Sequence, residues 1–375
     1  MKIHILYSKF FDYEGNNFSI GGVETYLLNL SKLLIENKYN VDIYQFANFP
    51  FEKDYNGIKV HGIKVNISKY NKAKKELLNY VQKNNKSYDT DILIFGSDYM
   101  ICQSKFKNTI GIQHGIAWDI TSYSKEKNMT NILNIIRQSL GSIKKYNRYS
   151  KVKCLVAVDY NFLNWYRTQV KNVNNYIKVI PNFVEKFNEN KTSDSNCIRI
   201  IFARRFVSYR GTKLFASVIK KIIDSNQYNI KVTIAGEGPD ENYLHSTLDG
   251  YKEIIFTKFE PNESFSVHCN QDIAVVPTLG SEGTSLSLLE AMGAGCSVIA
   301  TNIGGMTNII LNRYNGLLIE PNEKQLENAI IELLTNETLR NDLSYKALET
   351  TKITFNKLNW DNQWIDVINN ILEVK

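Results

Sequence analysis

The chain has 375 residues, which is enough for two domains that each bury their own hydrophobic core. Its five cysteines are dispersed without a CxxC pair, which argues against a zinc site and predicts a reducing compartment. Because it has no apolar run of 18 residues and no signal-peptide pattern, we expect a cytoplasmic protein or one on the inner face of the cell membrane. The cysteines are Cys102, Cys154, Cys197, Cys269 and Cys296.

Positive charge is concentrated in the first half of the chain. Residues 1–190 carry 27 Lys and Arg against 16 Asp and Glu, whereas the remainder carries 18 against 22. The charge is densest over residues 125–153, where isoleucines and leucines interleave with basic residues at helical spacing. A basic amphipathic helix is typical of a membrane-surface element and predicts peripheral contact with an anionic membrane. A solvated helix face on a lysine-rich protein accounts for the pattern equally well.

The first half of the chain alternates predicted strands and helices. A strand over residues 2–7 is followed by Gly21 and Gly22 and then by a helix over 23–36. Strand, glycine-rich loop and helix in this order form a phosphate cradle, which makes the two glycines candidate donor-binding residues. A tight turn explains two glycines equally well. Further strands are predicted over residues 41–46, 91–95, 109–113 and 153–158.

A second alternation follows a polar segment, residues 185–196, which we interpret as an interdomain linker. Apolar residues at helical spacing predict a last helix within 355–375. The repeated alternation predicts an α/β protein with two doubly wound parallel sheets. We therefore expect domains over residues 1–185 and 197–354, and a C-terminal helical segment over 355–375. The strands of the second half are predicted over residues 198–203, 231–235, 253–257, 272–276 and 297–301.

The most informative stretch is residues 274–295, where an apolar strand ends at Pro277 and a small-residue loop leads into a helix over 284–292. The helix start, at Gly283, Thr284, Ser285 and Leu286, directs backbone N–H groups and a positive dipole end at an anion. Glu282 and Glu290 frame it. Two helical turns cover about 11 Å, so the two carboxylates cannot act on one bond, although they suit the two ends of an elongated ligand. The alternative is a surface glutamate and a helix glutamate paired with a lysine.

The spacing Glu-x7-Glu, after Pro277 and before Ala-Met-x-x-Gly, resembles the GT4 family of retaining glycosyltransferases. That family has the GT-B fold, two Rossmann-like domains that face each other across a cleft. The resemblance implies that Glu282 contacts the donor sugar and Glu290 holds the ribose hydroxyls. It also implies that the first domain binds the acceptor, the second binds the nucleotide sugar, and the last helix crosses back to the first domain.

Arg205 and Arg210 match the Arg and Lys of the family's Gly-Arg-Leu-x-x-x-Lys-Gly motif. The chain departs from the motif in having Arg204 for the glycine and Arg210 for the lysine. Guanidinium groups bind diphosphate oxygens as paired donors with permanent charge, and would neutralise the leaving diphosphate. Two surface arginines of a basic protein are the alternative.

Three further residues follow predicted strands at positions that the resemblance assigns to the donor. His114 occupies the place of a histidine that lines the sugar site, with a hydrogen-bonded core histidine as the alternative. Gly236 begins a Gly-x-Gly-Pro turn that lies near the base in the family. Phe259 is a candidate wall for the nucleobase, or else a core residue. Gly304 and Gly305 resemble the family's turn after the Glu-x7-Glu helix.

We therefore expect a hexosyltransferase that transfers a sugar, with retention, from a UDP, GDP or dTDP sugar to a hydroxyl group. The acceptor is expected to be a glycan or lipid-linked acceptor of cell-envelope polysaccharide synthesis. The catalytic candidates are His114, Arg205, Arg210 and Glu282. We expect no metal, since no HExxH motif is present, no cofactor and no nucleic acid partner. A nucleotide-sugar epimerase on the same fold and a non-catalytic two-lobed sugar-binding protein are the alternatives.

Overall fold

Two parallel β-sheets, each with its own helices, form the protein, as predicted for the α/β class. The structure is a computed structural model that describes residues 1–19, 21–115, 131–169, 176–189, 197–260, 263–280 and 282–373. Within these ranges the first unit contains residues 1–114, 131–180 and 361–373, and the second contains residues 181–360. Residues 181–185, placed in the first domain by the sequence analysis, lie in the second unit.

The sheet of the first unit has the strand order β3-β4-β2-β1-β5-β6-β7-β8, and all neighbours pair in parallel except β3 with β4. The β3–β4 hairpin was not predicted, although its turn at Asn56 and Gly57, with φ of 55° and 78°, is the Asn-Gly signal of a tight hairpin. Its strands are β1 (Lys2–Leu6), β2 (Asn40–Ala47), β3 (Phe51–Tyr55), β4 (Ile58–Lys64), β5 (Ile92–Phe95), β6 (Asn108–Gln113), β7 (Cys154–Ala157) and β8 (Tyr176–Val179).

Helices connect these strands because each parallel pair needs a crossover. Helix α1 presents Leu27, Leu30 and Leu34 to the core at helical spacing, and all three are fully buried. The helices of this unit are α1 (Gly22–Glu36), α2 (Tyr70–Asn84), α3 (Asn131–Tyr149) and α4 (Tyr160–Gln169).

The sheet of the second unit has the order β11-β10-β9-β12-β13-β14, with every pair parallel. Strand β14, which has only three residues, was not predicted because so short a run shows no periodicity. The strands are β9 (Ile198–Ala203), β10 (Ile230–Ala235), β11 (Ile254–Thr257), β12 (Ile273–Val276), β13 (Ser297–Thr301) and β14 (Leu317–Ile319). The helices are α5 (Thr212–Asp224), α6 (Glu241–Leu248), α7 (Ser264–Cys269), α8 (Leu286–Gly293), α9 (Glu323–Thr335) and α10 (Glu337–Thr354).

The last helix, α11 (Lys357–Glu373), begins in the second unit and continues in the first from residue 361 onward. In the second unit, the ring of Trp360 packs against Phe183 with 4.7 Å between centroids. In the first unit, Trp364 is fully buried and its Nε1 donates a hydrogen bond of 2.9 Å to the Tyr26 hydroxyl. Of the apolar positions predicted on helical spacing, α11 buries all but Ile365, which is half-buried.

Each sheet has a point at which the strand order reverses, between β1 and β5 in the first and between β9 and β12 in the second. The loops that leave neighbouring strands at such a point diverge and open a crevice at their carboxyl ends, where open α/β sheets bind ligands. In the second unit these loops begin at Arg204, after β9, and at Pro277, after β12. They contain the Arg205, Arg210 and Glu282 of the sequence analysis.

Gly211 lets the two loops of the second unit approach each other. Its φ is +82°, in the left-handed region, and a Cβ at this position would collide with the carbonyl oxygen of Pro277. The Leu279 amide also donates to the Tyr209 carbonyl oxygen at 2.8 Å. Glycine is therefore required here by both the backbone conformation and the lack of space.

We expect Gly211→Ala to destabilise the protein more than Gly250→Ala, its matched control. Gly250 has a φ of +90°, but a Cβ there would have no atom within 4 Å, so alanine carries only the left-handed strain of roughly 1–2 kcal/mol. Gly211→Ala adds the collision with Pro277, which costs about 1–3 kcal/mol more. Thermal denaturation of the two variants measures the difference, and equal losses would contradict it.

Candidate functional site

The carboxylate of Glu282 is the meeting point of the two loops at the switch point of the second sheet. Its Oε2 accepts hydrogen bonds from Arg204 Nη2 at 2.6 Å and from Thr278 Oγ1 at 3.1 Å. Arg210 forms an ion pair with the same oxygen. One buried carboxylate oxygen therefore binds two guanidinium groups and one hydroxyl, and it connects the loops after β9 and β12.

Arg204 is buried and Arg210 is partly buried, and both remain cationic at neutral pH. Burial lowers the pKa of Arg204 to about 9. Burial, together with the neighbouring Arg204 cation, lowers the pKa of Arg210 to about 10. Because both values exceed 7, the cluster of Arg204, Arg210 and Glu282 has an excess of one positive charge, which favours an anionic ligand.

The Gly304–Gly305 turn supports the backbone beneath Glu282. The Gly305 amide donates to the Glu282 carbonyl oxygen at 3.1 Å. A Cβ on Gly304 would collide with this carbonyl, and one on Gly305 would collide with Gly283. Thr301, the last residue of β13, donates its hydroxyl to the Thr278 carbonyl oxygen at 2.6 Å. The loop that carries Glu282 is thus fixed from two sides.

Helix α8 begins beside this cluster. Ser285 is its N-cap residue and has an extended backbone with φ −70° and ψ 117°, so the helix starts at Leu286, two residues later than predicted. Thr284 and Ser285 are buried, and the Asn182 side chain donates to the Thr284 carbonyl oxygen at 2.5 Å. The amides of the first helical turn lack acceptors within the helix and carry its positive dipole end, so this terminus favours an anion.

Glu290 lies one turn further along α8, next to the start of α7. Its Oε2 accepts a hydrogen bond of 2.5 Å from Ser264 Oγ. Burial raises the pKa of Glu290 to about 7, because the apolar surroundings disfavour the ionised form. A hydroxyl ligand that donates to this carboxylate would stabilise its ionised form.

The other predicted residues of the second unit lie around this cluster. Arg205 follows β9 with an exposed side chain. Gly236 has a φ of +136° and abuts the Arg204 carbonyl oxygen, so the turn after β10 packs tightly against the loop after β9. Phe259 is partly buried against the hydrophobic core. The structure therefore places these three residues after β9, β10 and β11, which are neighbouring strands.

His114 follows β6 in the first unit and is hydrogen-bonded within it. Its Nε2 lies 2.9 Å from the Gly96 carbonyl oxygen, and its ring meets Tyr26 edge-on with 5.0 Å between centroids. Burial lowers the pKa of His114 to about 4, so the ring is neutral at pH 7. Since the carbonyl can only accept, Nε2 carries the hydrogen and Nδ1 is the acceptor of the neutral ring.

The predicted cradle at Gly21 and Gly22 faces a carboxylate of the same helix. Gly21 is the N-cap of α1, and a Cβ there would collide with the carboxylate of Glu24. This carboxylate accepts a hydrogen bond of 2.8 Å from the Tyr7 hydroxyl, and burial raises its pKa. Glu24 thus provides the negative charge that the helix N-terminus attracts, and a phosphate would have to displace it.

The basic segment over residues 125–153 lies partly outside the described residues, which resume at Asn131, the first residue of α3. Ile136, Leu140 and Ile143 are 50%, 56% and 56% exposed, at a spacing that places them on one face of α3. Lys144 is exposed beside them. By contrast, Arg148 is paired with Asp98 at 3.2 Å and is not free for a partner.

The described residues contain no group of three or more His, Cys, Asp or Glu side chains arranged to hold a metal ion. Among the helices in the described ranges, none combines the length and apolar character needed to cross a membrane.

Sequence reasoning missed three residues of this site: Arg204, Thr278 and Ser264. Arg204 was noted only as a departure from a glycine position, and that departure was the signal that could have found it. Thr278 directly follows Pro277 after the end of β12, and this position at a strand end could have marked it as a candidate. Ser264 is 26 residues from Glu290 in the sequence, and only the packing of α7 on α8 brings them together.

The two doubly wound parallel sheets, with the Glu282 cluster at the switch point of the second, define the GT-B fold of glycosyltransferases. Sucrose-phosphate synthase from Thermosynechococcus elongatus has a similar structure over the whole of both chains, with a TM-score of 0.77 and 14% identity. HepE of Anabaena, in a structure in complex with UDP-glucose, matches with a TM-score of 0.72 and 14% identity over 99% of this chain and 100% of its own.

The model of the family described as glycosyl transferases group 1 matches residues 183–350 of the chain. An uncharacterized glycosyltransferase of Methanocaldococcus jannaschii is 25% identical over 90% of this chain and 92% of its own. Another from that organism is 32% identical, but the match spans 43% of this chain and less than half, 44%, of that relative. The capsular polysaccharide biosynthesis glycosyltransferase CapM of Staphylococcus aureus is 26% identical over 36% of each chain.

We expect Glu290 to make stability fall as pH rises from about 4.5 to about 7. Its folded-state pKa is raised to about 7 from an ordinary 4.5, so the folded state holds the proton more tightly than the unfolded state. Glu290→Gln lacks this penalty and should gain about 3 kcal/mol relative to wild type between pH 4.5 and pH 8. Thermal unfolding at both pH values measures the gain, with the exposed Glu337→Gln as control. A difference independent of pH would contradict it.

Proposed function

We propose that the protein is a retaining glycosyltransferase of the GT4 type that transfers a hexosyl group from a nucleoside-diphosphate sugar to a hydroxyl group. The observation that carries the proposal is the charge at the switch point of the second sheet. Arg204, Arg205 and Arg210 gather there with the N-terminus of α8, against the single carboxylate of Glu282. A diphosphate, which is multiply anionic, is the part of a nucleotide sugar that such a site attracts.

The arrangement supports one role for each part of the donor. Arg205, Arg210 and the α8 terminus over residues 283–286 bind the diphosphate, and Glu290 accepts hydrogen bonds from the ribose hydroxyls. Gly236 and Phe259 adjoin the base. Glu282 contacts the sugar. The family resemblance alone assigns His114 to a sugar hydroxyl, for which Nδ1 of its neutral ring is the acceptor. Gly21 and Gly22 are the weakest members of the donor-binding set, because Glu24 occupies the end of their helix.

The chemistry requires that the bond between the anomeric carbon and the diphosphate oxygen breaks and that its electron pair leaves with the phosphate. The acceptor hydroxyl then bonds to the anomeric carbon on the same face, and its proton passes to the departing phosphate oxygen. The configuration is therefore retained without an enzymatic nucleophile. The arginines and the helix dipole favour the charge that develops on the diphosphate, which is the largest catalytic contribution of this kind of site.

UDP, GDP and dTDP sugars are the donor candidates. The structure of HepE with UDP-glucose supports a nucleotide sugar and favours UDP as the first ligand to test. The similarity to CapM, named for capsular polysaccharide biosynthesis, supports a glycan or lipid-linked acceptor of the cell envelope.

We expect calorimetry with UDP, GDP, dTDP and their sugars to identify one nucleotide that binds tightly. Glu290→Gln should lower the affinity for that nucleotide about tenfold or more. Hydrogen bonds to a charged group contribute about 1.5–3 kcal/mol, and the variant keeps the shape of the side chain. Because binding needs the ionised carboxylate, wild-type affinity should also fall as pH drops below about 7. Glu337→Gln is the matched control.

Unchanged affinity in Glu290→Gln would exclude its role at the ribose, and failure of all nucleotides to bind would contradict the proposed function. Once the donor is known, its products separate the remaining enzymatic alternative. An isomerised donor formed without any acceptor would indicate an epimerase rather than a transferase.

We further propose that the α3 face rests on an anionic membrane, from which a lipid-linked acceptor is reached. Ile136, Leu140 and Ile143 are each at least half exposed, and Lys144 adjoins them. Apolar side chains enter the interface between headgroups and acyl chains, while neighbouring lysines attract anionic lipids. The occupant that this combination fits is a phosphatidylglycerol-rich surface.

We expect the triple variant Leu140→Asn, Ile143→Asn and Lys144→Glu to lose binding to phosphatidylglycerol vesicles in co-sedimentation at low salt. Wild type should bind these vesicles, release them as salt rises and bind phosphatidylcholine vesicles weakly. Residues already engaged within the unit, such as Arg148, are left unchanged so that folding is preserved. Equal binding to both lipids, or to neither, would make this face an ordinary solvated one.

A further inference from the structure

Two cations share one carboxylate oxygen at the proposed donor site, but they are held differently. Arg204 has a side chain only 5% exposed and donates through Nη2 to Glu282 and through Nη1 to Thr278. Thr278 is fixed in turn by Thr301. Arg210 has a side chain 25% exposed and lies at the end of the short 3₁₀ turn Ser208–Arg210. Arg210 is therefore the cation that can leave Glu282, and Arg204 is the one that stays.

A diphosphate at this site competes with Glu282 for Arg210. When Arg210 turns to the diphosphate, Glu282 loses one of its two cations while a second anion arrives nearby. A buried carboxylate without a cation is strongly unfavourable, and like charges at short distance add to that cost. With Arg204 in place, Glu282 keeps a cation and two hydrogen bonds throughout.

On the basis of the proposed function, we propose that Arg204 is a positioning residue that keeps Glu282 charge-compensated and oriented while Arg210 moves from Glu282 to the donor diphosphate. The GT4 motif has glycine at this position, so this role of Arg204 is a feature of this chain and not of the motif. Without Arg204, Arg210 and Glu282 would form a neutral ion pair, and breaking that pair would oppose the movement of Arg210. With Arg204, the cluster has two cations for one carboxylate.

Because of this arrangement, substitutions of Arg204 and Glu282 should change the affinity for diphosphate in opposite directions. Without the Arg204 cation, Arg210 becomes the sole counter-ion of Glu282, so releasing it costs more and diphosphate binds less tightly. Without the Glu282 charge, Arg210 has nothing to leave, so diphosphate binds more tightly. Loss of Arg210 removes the contact to diphosphate and should make the effect of Arg204 on affinity smaller.

The test is calorimetric titration with inorganic diphosphate, which probes this part of the site whatever the base, and in parallel with the nucleoside diphosphate that wild type prefers. We expect Arg204→Gln to weaken inorganic diphosphate at least fivefold, Arg204→Lys to restore most of the loss, and Glu282→Gln to strengthen binding at least threefold. In an Arg210→Gln background, Arg204→Gln should weaken binding by a smaller factor than it does with Arg210 present, because only the charge of Arg204, and not the release of Arg210, is then lost. Arg313→Gln, which alters an exposed arginine paired with Glu332, is the control.

An unchanged or tighter affinity in Arg204→Gln, or the same loss with Arg210 absent, would overturn this role for Arg204 and leave the proposed function standing. Wild type that binds neither inorganic diphosphate nor any nucleotide would overturn both. If Arg204→Gln does not fold, Glu282→Gln decides. A gain in affinity that requires Arg210 supports the exchange, and no gain refutes it.

Discussion

The bonds to Glu282 Oε2 are the interaction on which the second unit's site depends. Arg204 directly follows β9 and Thr278 lies just beyond β12, and both donate to this oxygen. Thr301 connects Thr278 to the end of β13. Three neighbouring strands are therefore joined at their carboxyl ends through one carboxylate. The glycines at 211, 304 and 305 are required because the backbone on either side of this carboxylate approaches so closely.

Stability alone does not explain such a cluster, since buried ion pairs contribute little stability beyond what well-packed apolar residues would give. Its advantage is functional. In the proposed function, the surplus positive charge beside the start of α8 is in place before the diphosphate binds, and such preorganised charge stabilises a leaving anion. The raised pKa of Glu290 is a second electrostatic feature of the same helix, one turn further along.

The two units contain the same local pattern with different electrostatics. Each has a strand, a small-residue loop and a helix whose N-terminus carries a positive dipole end. At α8 the neighbours are Arg204 and Arg210, so the terminus adds to a cationic site. At α1 the neighbour is the carboxylate of Glu24, held by Tyr7, so the same dipole is already balanced. The same strand–loop–helix pattern in the two units therefore does not imply that both bind the same ligand.

The sequence by itself determined the two parallel sheets, most of their strands, the helix after Pro277 and the burial of the apolar positions in α11, because periodicity and glycine placement are local properties. Its motifs predicted one site for Arg205, Arg210 and Glu282, and all three lie in the loops after β9 and β12. The β3–β4 hairpin was missed although β4 alternates in burial and its turn has the Asn-Gly signal. Strands β8 and β14 were missed because runs of four and three residues are too short to show periodicity. Only the tertiary structure decided that Arg204 holds Glu282 and that Ser264 bonds Glu290. These partners are 78 and 26 residues apart. The adjacency of β9 and β12 brings the first pair together, and the packing of α7 on α8 brings the second pair together.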